Sequence, residues 1–123
     1  MKEDTLLLRQ VHPNFIKNGA LTSQAFTPFP KDKGALSVYD GDQIEAHAAY
    51  EHYTKTLQRQ SMGVWGVTCG EVKQTSLAST SDPLENFPCH AIIDFGARTS
   101  ERECRKLAKR LRDFAELRRR LAP

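Results

Sequence analysis

With 123 residues, 39% of them hydrophobic and 27% charged, and with no run of like residues longer than three, the chain is the size of one domain around one core. That balance excludes both a disordered and a fibrous polymer. No stretch comes near the ~20 apolar residues of a membrane span, and Met1–Asp4 carries no leader core. Cys69, Cys89 and Cys104 give an odd count without a CxxC pair, so a cytoplasmic protein with reduced thiols and no membrane partner is expected. The net charge of +3 is uneven: residues 99–123 carry nine Lys/Arg against four acids, which leaves the rest slightly acidic.

Along the chain, Thr5–Val11 (TLLLRQV) is apolar and β-compatible, and His12-Pro13 ends it, because proline removes a donor and biases its predecessor to extended geometry. Residues 14–34 hold Gly19, Pro28, Pro30 and Gly34 among scattered aromatics without a helical period, and predict an ordered loop with a short strand near Leu21–Phe26. Leu36–Tyr39 alternates as a strand does, and Asp40-Gly41-Asp42 offers a turn and an N-cap for a helix over Gln43–Gln58, in which Glu51 and Lys55 pair at i,i+4. Met62–Thr68 (MGVWGVT) predicts a central strand that Glu71-Val72 extends. Thr75–Ser81 is polar and reads as a loop, punctuated by Asp82-Pro83 and Phe87-Pro88. Cys89–Phe95 (CHAIIDF) is nearly continuous in apolar character, as a strand buried on both faces would be.

The last helix has the clearest signal. Ser100 and Glu103 have the spacing of a capping box, and Cys104, Leu107, Ala108, Leu111, Phe114, Ala115 and Leu121 recur at i, i+3, i+4. The expectation is a single α+β domain over residues 1–123: a mixed or antiparallel sheet of about four strands, one internal helix and a long basic C-terminal helix.

Opposite the apolar stripe of that helix stand Arg102, Arg105, Lys106, Lys109 and Arg112. Such a row can neutralise phosphates or meet an acidic protein surface, and its plain alternative is a solvated helix face. No metal is expected: His47 and His52, five apart on a predicted helix, do not share a face, and Cys89 and His90, adjacent on a strand, point opposite ways. The remaining candidates for catalysis are polar residues on strands: Arg9, His12, Ser37, Glu71 and His90. An arginine within an apolar strand must reach water, a carboxylate or a ligand. Its simplest partners are Glu71 or Asp94. The order Arg9, Ser37, Glu71 is similar to that of ADP-ribosyltransferase-like enzymes, where Arg and Ser position NAD and Glu assists at the ribose. That likeness implies NAD as a cofactor for this reading alone; otherwise none is expected.

The phrases RQVHP (Arg9–Pro13), TSQAF (Thr22–Phe26), LSVY (Leu36–Tyr39) and Asp82-Pro83 through Pro88-Cys89-His90-Ala91-Ile92-Ile93 together resemble a group of small bacterial proteins of unassigned function. Gln24 and Cys89 depart from that pattern. The resemblance implies bacterial origin and a shared fold, without a mechanism, and it draws attention to a pocket bordered by Arg9, His12, Ser23, Ser37 and His90. Two functions stand beside a third reading, a purely structural subunit that would expose an apolar patch. One is a binding or regulatory module, of the kind found in defence or toxin-type operons, that contacts nucleic acid or an acidic partner through its basic helix. The other is a small ADP-ribosyltransferase-like or nucleotide-processing enzyme with a pocket around Arg9, Ser37 and Glu71.

Overall fold

The computed structural model describes residues 1–97 and 99–123. In chain order the elements are β1 (Leu6–Val11), β2 (Ile16–Lys17), β3 (Ala20–Leu21), β4 (Ala35–Asp40), α1 (Ala46–Glu51), β5 (Gly63–Thr68), α2 (Cys69–Gln74), β6 (Ala78–Ser81), β7 (His90–Asp94) and α3 (Glu101–Arg118). Short 3-10 turns cover Pro13–Phe15, Ser23–Phe26 and Pro30–Asp32, and a π turn, His52–Thr56, continues α1. Five strands form one antiparallel sheet in the order β5-β1-β4-β7-β6, while β2 and β3 make a separate ribbon. The architecture is α+β with a C-terminal helix, and it has one strand more in the main sheet than the sequence suggests.

The strand period divides the apolar residues between two faces. Leu7 and Val11, Leu36 and Val38, Trp65 and Val67, and Ala91 and Ile93 pack with Ala108, Leu111 and Ala115 of α3. Leu8, Tyr39 and Val64 belong to a second cluster with Ala49 of α1, Phe87 and Ala122. Burying a leucine such as Leu111, which is fully covered, contributes ~1.5–3 kcal/mol. Ser100 caps α3 by accepting from the Glu103 amide at 3.1 Å. Beyond the helix the chain returns along the outer edge of β5, where Val64 N donates to Ala122 O and Leu121 N donates to Val64 O, both at 2.8 Å.

Several local expectations are corrected. The strand expected over Met62–Thr68 is Gly63–Thr68 and lies at the sheet edge, and α3, α1 and the C-terminal tail cover it, which is why Gly63–Val67 are buried while Met62 is exposed. Glu71-Val72 does not extend it. Thr68 accepts from the Glu71 amide while Glu71 accepts from the Thr68 amide, and this reciprocal cap starts α2 at once. The polar stretch before Asp82 contains edge strand β6. The expected strand near Leu21–Phe26 is instead β3 followed by a 3-10 turn. The internal α-helix begins later than Gln43, with Glu45 as its cap, because the Asp40 side chain closes the preceding turn onto Asp42 and Gln43.

One defect in the sheet positions the site. β1 and β4 are in register only at Leu7↔Asp40 and Leu8↔Tyr39, whereas β1 pairs with β5 along its whole length. Beyond Leu8 the two central strands part, and a cleft opens between Arg9–His12 on one side and Ala35–Tyr39 on the other. Gly34 sets the entry to β4: at φ +85° a side chain is strained, and a Cβ there would lie 2.6 Å from Gly96 O.

Candidate functional site

The cleft encloses about 840 Å³, within the usual range for small-molecule sites of ~300–1,000 Å³. Arg9, His12, Ser37 and His90 line it. Glu71 and Ser23 are not among its lining residues.

Arg9 stands where the β1–β4 ladder is missing. Its Nε donates to Ala25 O at 2.8 Å and its Nη1 to Ser37 O at 2.9 Å, so the guanidinium satisfies the strand carbonyl that a ladder partner would otherwise have met. Neither Glu71 nor Asp94 pairs with it, and among the described residues no carboxylate forms an ion pair with it. A guanidinium has five N–H donors. Among the described residues Nη2 makes no hydrogen bond and no buried side-chain nitrogen lacks a partner, so Nη2 retains open surface. Burial pulls the guanidinium down to about 10, while Tyr53 and Asp32 act in the opposite direction, and it remains a cation at neutral pH.

On β7, His90 is 5% exposed and packs edge-on to Phe87, with ring centroids 4.8 Å apart. Its Nδ1 lies 2.8 Å from the Asp82 carbonyl oxygen and 3.1 Å from Asp82 Oδ2, and its Nε2 lies 3.0 Å from Ser37 Oγ. A carbonyl oxygen can only accept, so Nδ1 carries a proton. In the neutral ring Nε2 is then an acceptor, and the Ser37 hydroxyl donates to it. The sheet register produces the contact, since Tyr39 is opposite His90 and Ser37 opposite Ile92, which makes Ser37 and His90 diagonal neighbours on one face. Ser37 itself is exposed on the cleft wall.

A parallel arrangement lies on the other side of Phe87. Tyr39 OH is 2.7 Å from His52 Nδ1, and His52 Nε2 is 3.0 Å from Asn86 O. By the same reasoning Nε2 carries the proton and the Tyr39 hydroxyl donates. Burial, with Tyr53 adding to it, raises the Tyr39 phenol well above its ordinary range, so it stays protonated. Around the mouth stand Lys31 and Arg59, with Asp32 the one acid among the described residues, and Phe15, Tyr53, Phe29 and Leu84 supply apolar surface. Phe29 and Leu84 are half exposed, large apolar groups left open at the rim. His12 lines the cleft, but its Nδ1 accepts from the Asn14 amide at 3.1 Å and so caps the next turn.

Glu71 is committed elsewhere. It meets Arg118 through two bonds, Nη1–Oε1 at 2.9 Å and Nη2–Oε2 at 3.1 Å, with side chains 16% and 28% exposed. Burial alone would raise its carboxyl. The bonds from Arg118 and the Thr68 amide outweigh that and hold it below the usual carboxylate range.

On α3, Arg102, Arg105, Lys106 and Lys109 are exposed, and among the described residues they form no ion pair. Arg112 is withdrawn from that row: it binds Asp113 Oδ1 at 2.8 Å and Leu21 O at 3.4 Å. With Glu116, which accepts from the Leu21 amide at 2.6 Å, it ties β3 to the helix. Two residues that hold cleft side chains from behind, Asp82 on His90 and His52 on Tyr39, escape a reading by residue type. Asp82 looks like a turn former before proline, and His52 like one polar position of a helix. The available signal for Asp82 is its place eight residues before a histidine that leads a buried strand. No family model, curated protein or solved structure matches the chain.

Proposed function

We propose that the cleft between β1 and β4 binds a small organic anion of the nucleotide class, and that the protein is a small nucleotide-processing enzyme. The observation that carries this reading is Arg9, a cation that lines the cleft and whose carbonyl partners fix its plane while Nη2 keeps exposed surface without a partner among the described residues. Fixed, planar donors match phosphate oxygens, and such charge-assisted bonds contribute about twice as much as neutral ones. Lys31 and Arg59 give the mouth a positive balance, and the aromatic and apolar walls suit the base of a nucleotide. NAD and its relatives belong to this class. With Glu71 engaged by Arg118 outside the cleft, the ADP-ribosyltransferase version lacks its assisting carboxylate, and the reading keeps Arg9 and Ser37 without it.

The test is calorimetric titration of the full chain with ADP, NAD and inorganic phosphate. At least one nucleotide should bind, and Arg9→Gln should weaken it by roughly 10- to 100-fold, the equivalent of a ~1.5–3 kcal/mol charged hydrogen bond. Arg59→Gln at the mouth should cost less. If none of the three binds, or if Arg9→Gln and wild type bind alike, the reading fails.

The unpaired cations of α3 support a second reading, a regulatory module whose helix face meets nucleic acid. Replacing Arg105, Lys106 and Lys109 with glutamate should abolish retention on duplex DNA. The wild-type affinity should fall with rising salt, with a slope in log–log form of about −0.9 per phosphate contact. Salt-independent or absent binding by the wild type removes this reading.

A further inference from the structure

We infer that Ser37 is a nucleophile directed at a phosphoryl centre, with His90 as its general base and Asp82 as the residue that positions His90. For the substrate class this rests on the nucleotide reading of the cleft; for the nucleophile it rests on the hydroxyl–imidazole geometry alone.

A serine hydroxyl is a weak nucleophile until a base within ~2.6–3.2 Å can take its proton, and Ser37 Oγ lies 3.0 Å from His90 Nε2. The base must also present a lone pair on that nitrogen. Here the protein dictates the tautomer twice, through the Asp82 carbonyl at 2.8 Å and the Asp82 carboxylate at 3.1 Å on Nδ1. The carboxylate, 49% exposed, can stabilise the imidazolium that forms, as the orienting acid does in other serine nucleophile systems. Burial of His90 between Phe87 and the sheet fixes the ring plane. Ser37, by contrast, is open to the cleft, where a substrate can approach.

Arg9 decides the electrophile. Its guanidinium is bonded to the backbone carbonyl of Ser37 itself, and both residues line the same cleft, so the cavity that receives the hydroxyl also carries a fixed cation suited to the negative charge that grows on phosphoryl oxygens during transfer. A neutral carboxylic ester would have little use for that cation.

Ser37 Oγ forms a bond to phosphorus and its proton passes to His90 Nε2; the P–O bond to the leaving group breaks, and the departing oxygen receives the proton from Nε2. Water then attacks the phosphoserine, gives a proton to Nε2 and releases phosphate product as the proton returns to Ser37 Oγ. The net reaction consumes one water and needs no oxidant or reductant.

The experiment uses the full chain and diisopropyl fluorophosphate, a small phosphoryl electrophile whose fluoride leaves as Oγ attacks. Intact-mass analysis should show a single adduct, mapped by peptide sequencing to Ser37 and absent from Ser37→Ala. His90→Gln should slow labelling by about 10²-fold or more, as expected for loss of a general base. It should also change the shape of the pH–rate profile of labelling relative to wild type, a readout that a purely structural histidine would not affect. An unlabelled wild type, an adduct at another residue, or equal rates in wild type and His90→Gln overturns the proposal. Circular dichroism of both variants verifies their fold. Should His90→Gln not fold, the wild-type and Ser37→Ala arms still decide. Calorimetry with ADP and NAD separates the two claims. Nucleotide binding without an adduct leaves the cleft reading and sinks the nucleophile, whereas an adduct on Ser37 without nucleotide binding sinks the cleft reading and keeps the nucleophile.

Discussion

Single side chains in this protein divide into those whose partners are complete and those whose partners are not. Glu71 is complete: it caps α2 and holds Arg118 with both oxygens. Its carboxyl titrates lower in the folded chain than in the unfolded one, where a glutamate has a pKa of ~4.3. The stability it contributes is therefore fully present above that value and is lost as pH falls through its depressed folded value. Glu71→Gln should lower the unfolding free energy at pH 7 by about 1–2 kcal/mol, for a weakened cap and a broken, largely covered ion pair. Urea melts of both proteins at pH 7 and pH 3 check this: the difference should narrow in acid, and an unchanged gap would show that charge is not its source. Arg9 is the opposite case, bonded to carbonyls that leave its charge uncompensated. Its residue type already demanded an explanation at the sequence level. Which explanation held depended on where β1 and β4 part, and nothing local to TLLLRQV signals that.

Among the elements, legibility in sequence followed the strength of the period. α3 is readable because its Cys104, Leu107, Ala108, Leu111 and Ala115 stripe runs for several turns, and β1, β4 and β7 because apolar runs end at Pro, Gly or Asp. α2 was hidden by its length. Its Thr68-x-x-Glu71 box stands in plain view, yet six residues with one buried valine offer no period to go with it. β6 (ASTS) has no apolar residue larger than alanine; it is a strand because β7 presents a free edge to it, a tertiary cause that leaves no local trace. The histidine site was half readable in the same way. Ser37 and His90 fall on strands with countable faces, so their meeting requires only that β4 and β7 be neighbours in the observed register. Asp82 and His52 reach the site from a loop and a π turn, whose geometry residue order does not encode.

At the scale of the whole molecule, the sheet is two subsheets, β5-β1 and β4-β7-β6, joined by two register pairs, and the cleft is the space this thin seam leaves open. The same topology makes β5 a border strand. Its backbone would present Val64 N–H and C=O to solvent beside Trp65 and Val67, were Leu121 and Ala122 not bonded there. An uncovered, apolar, uncharged strand edge is a template for pairing with another chain. Deleting Arg119–Pro123 should therefore leave the helix in place while producing concentration-dependent assemblies in light scattering that the full chain does not form. A truncated chain that scatters like the intact one would show that the edge is protected by other means. The final residues, which contribute nothing to the cleft, would then decide how much of this protein a cell can keep in solution.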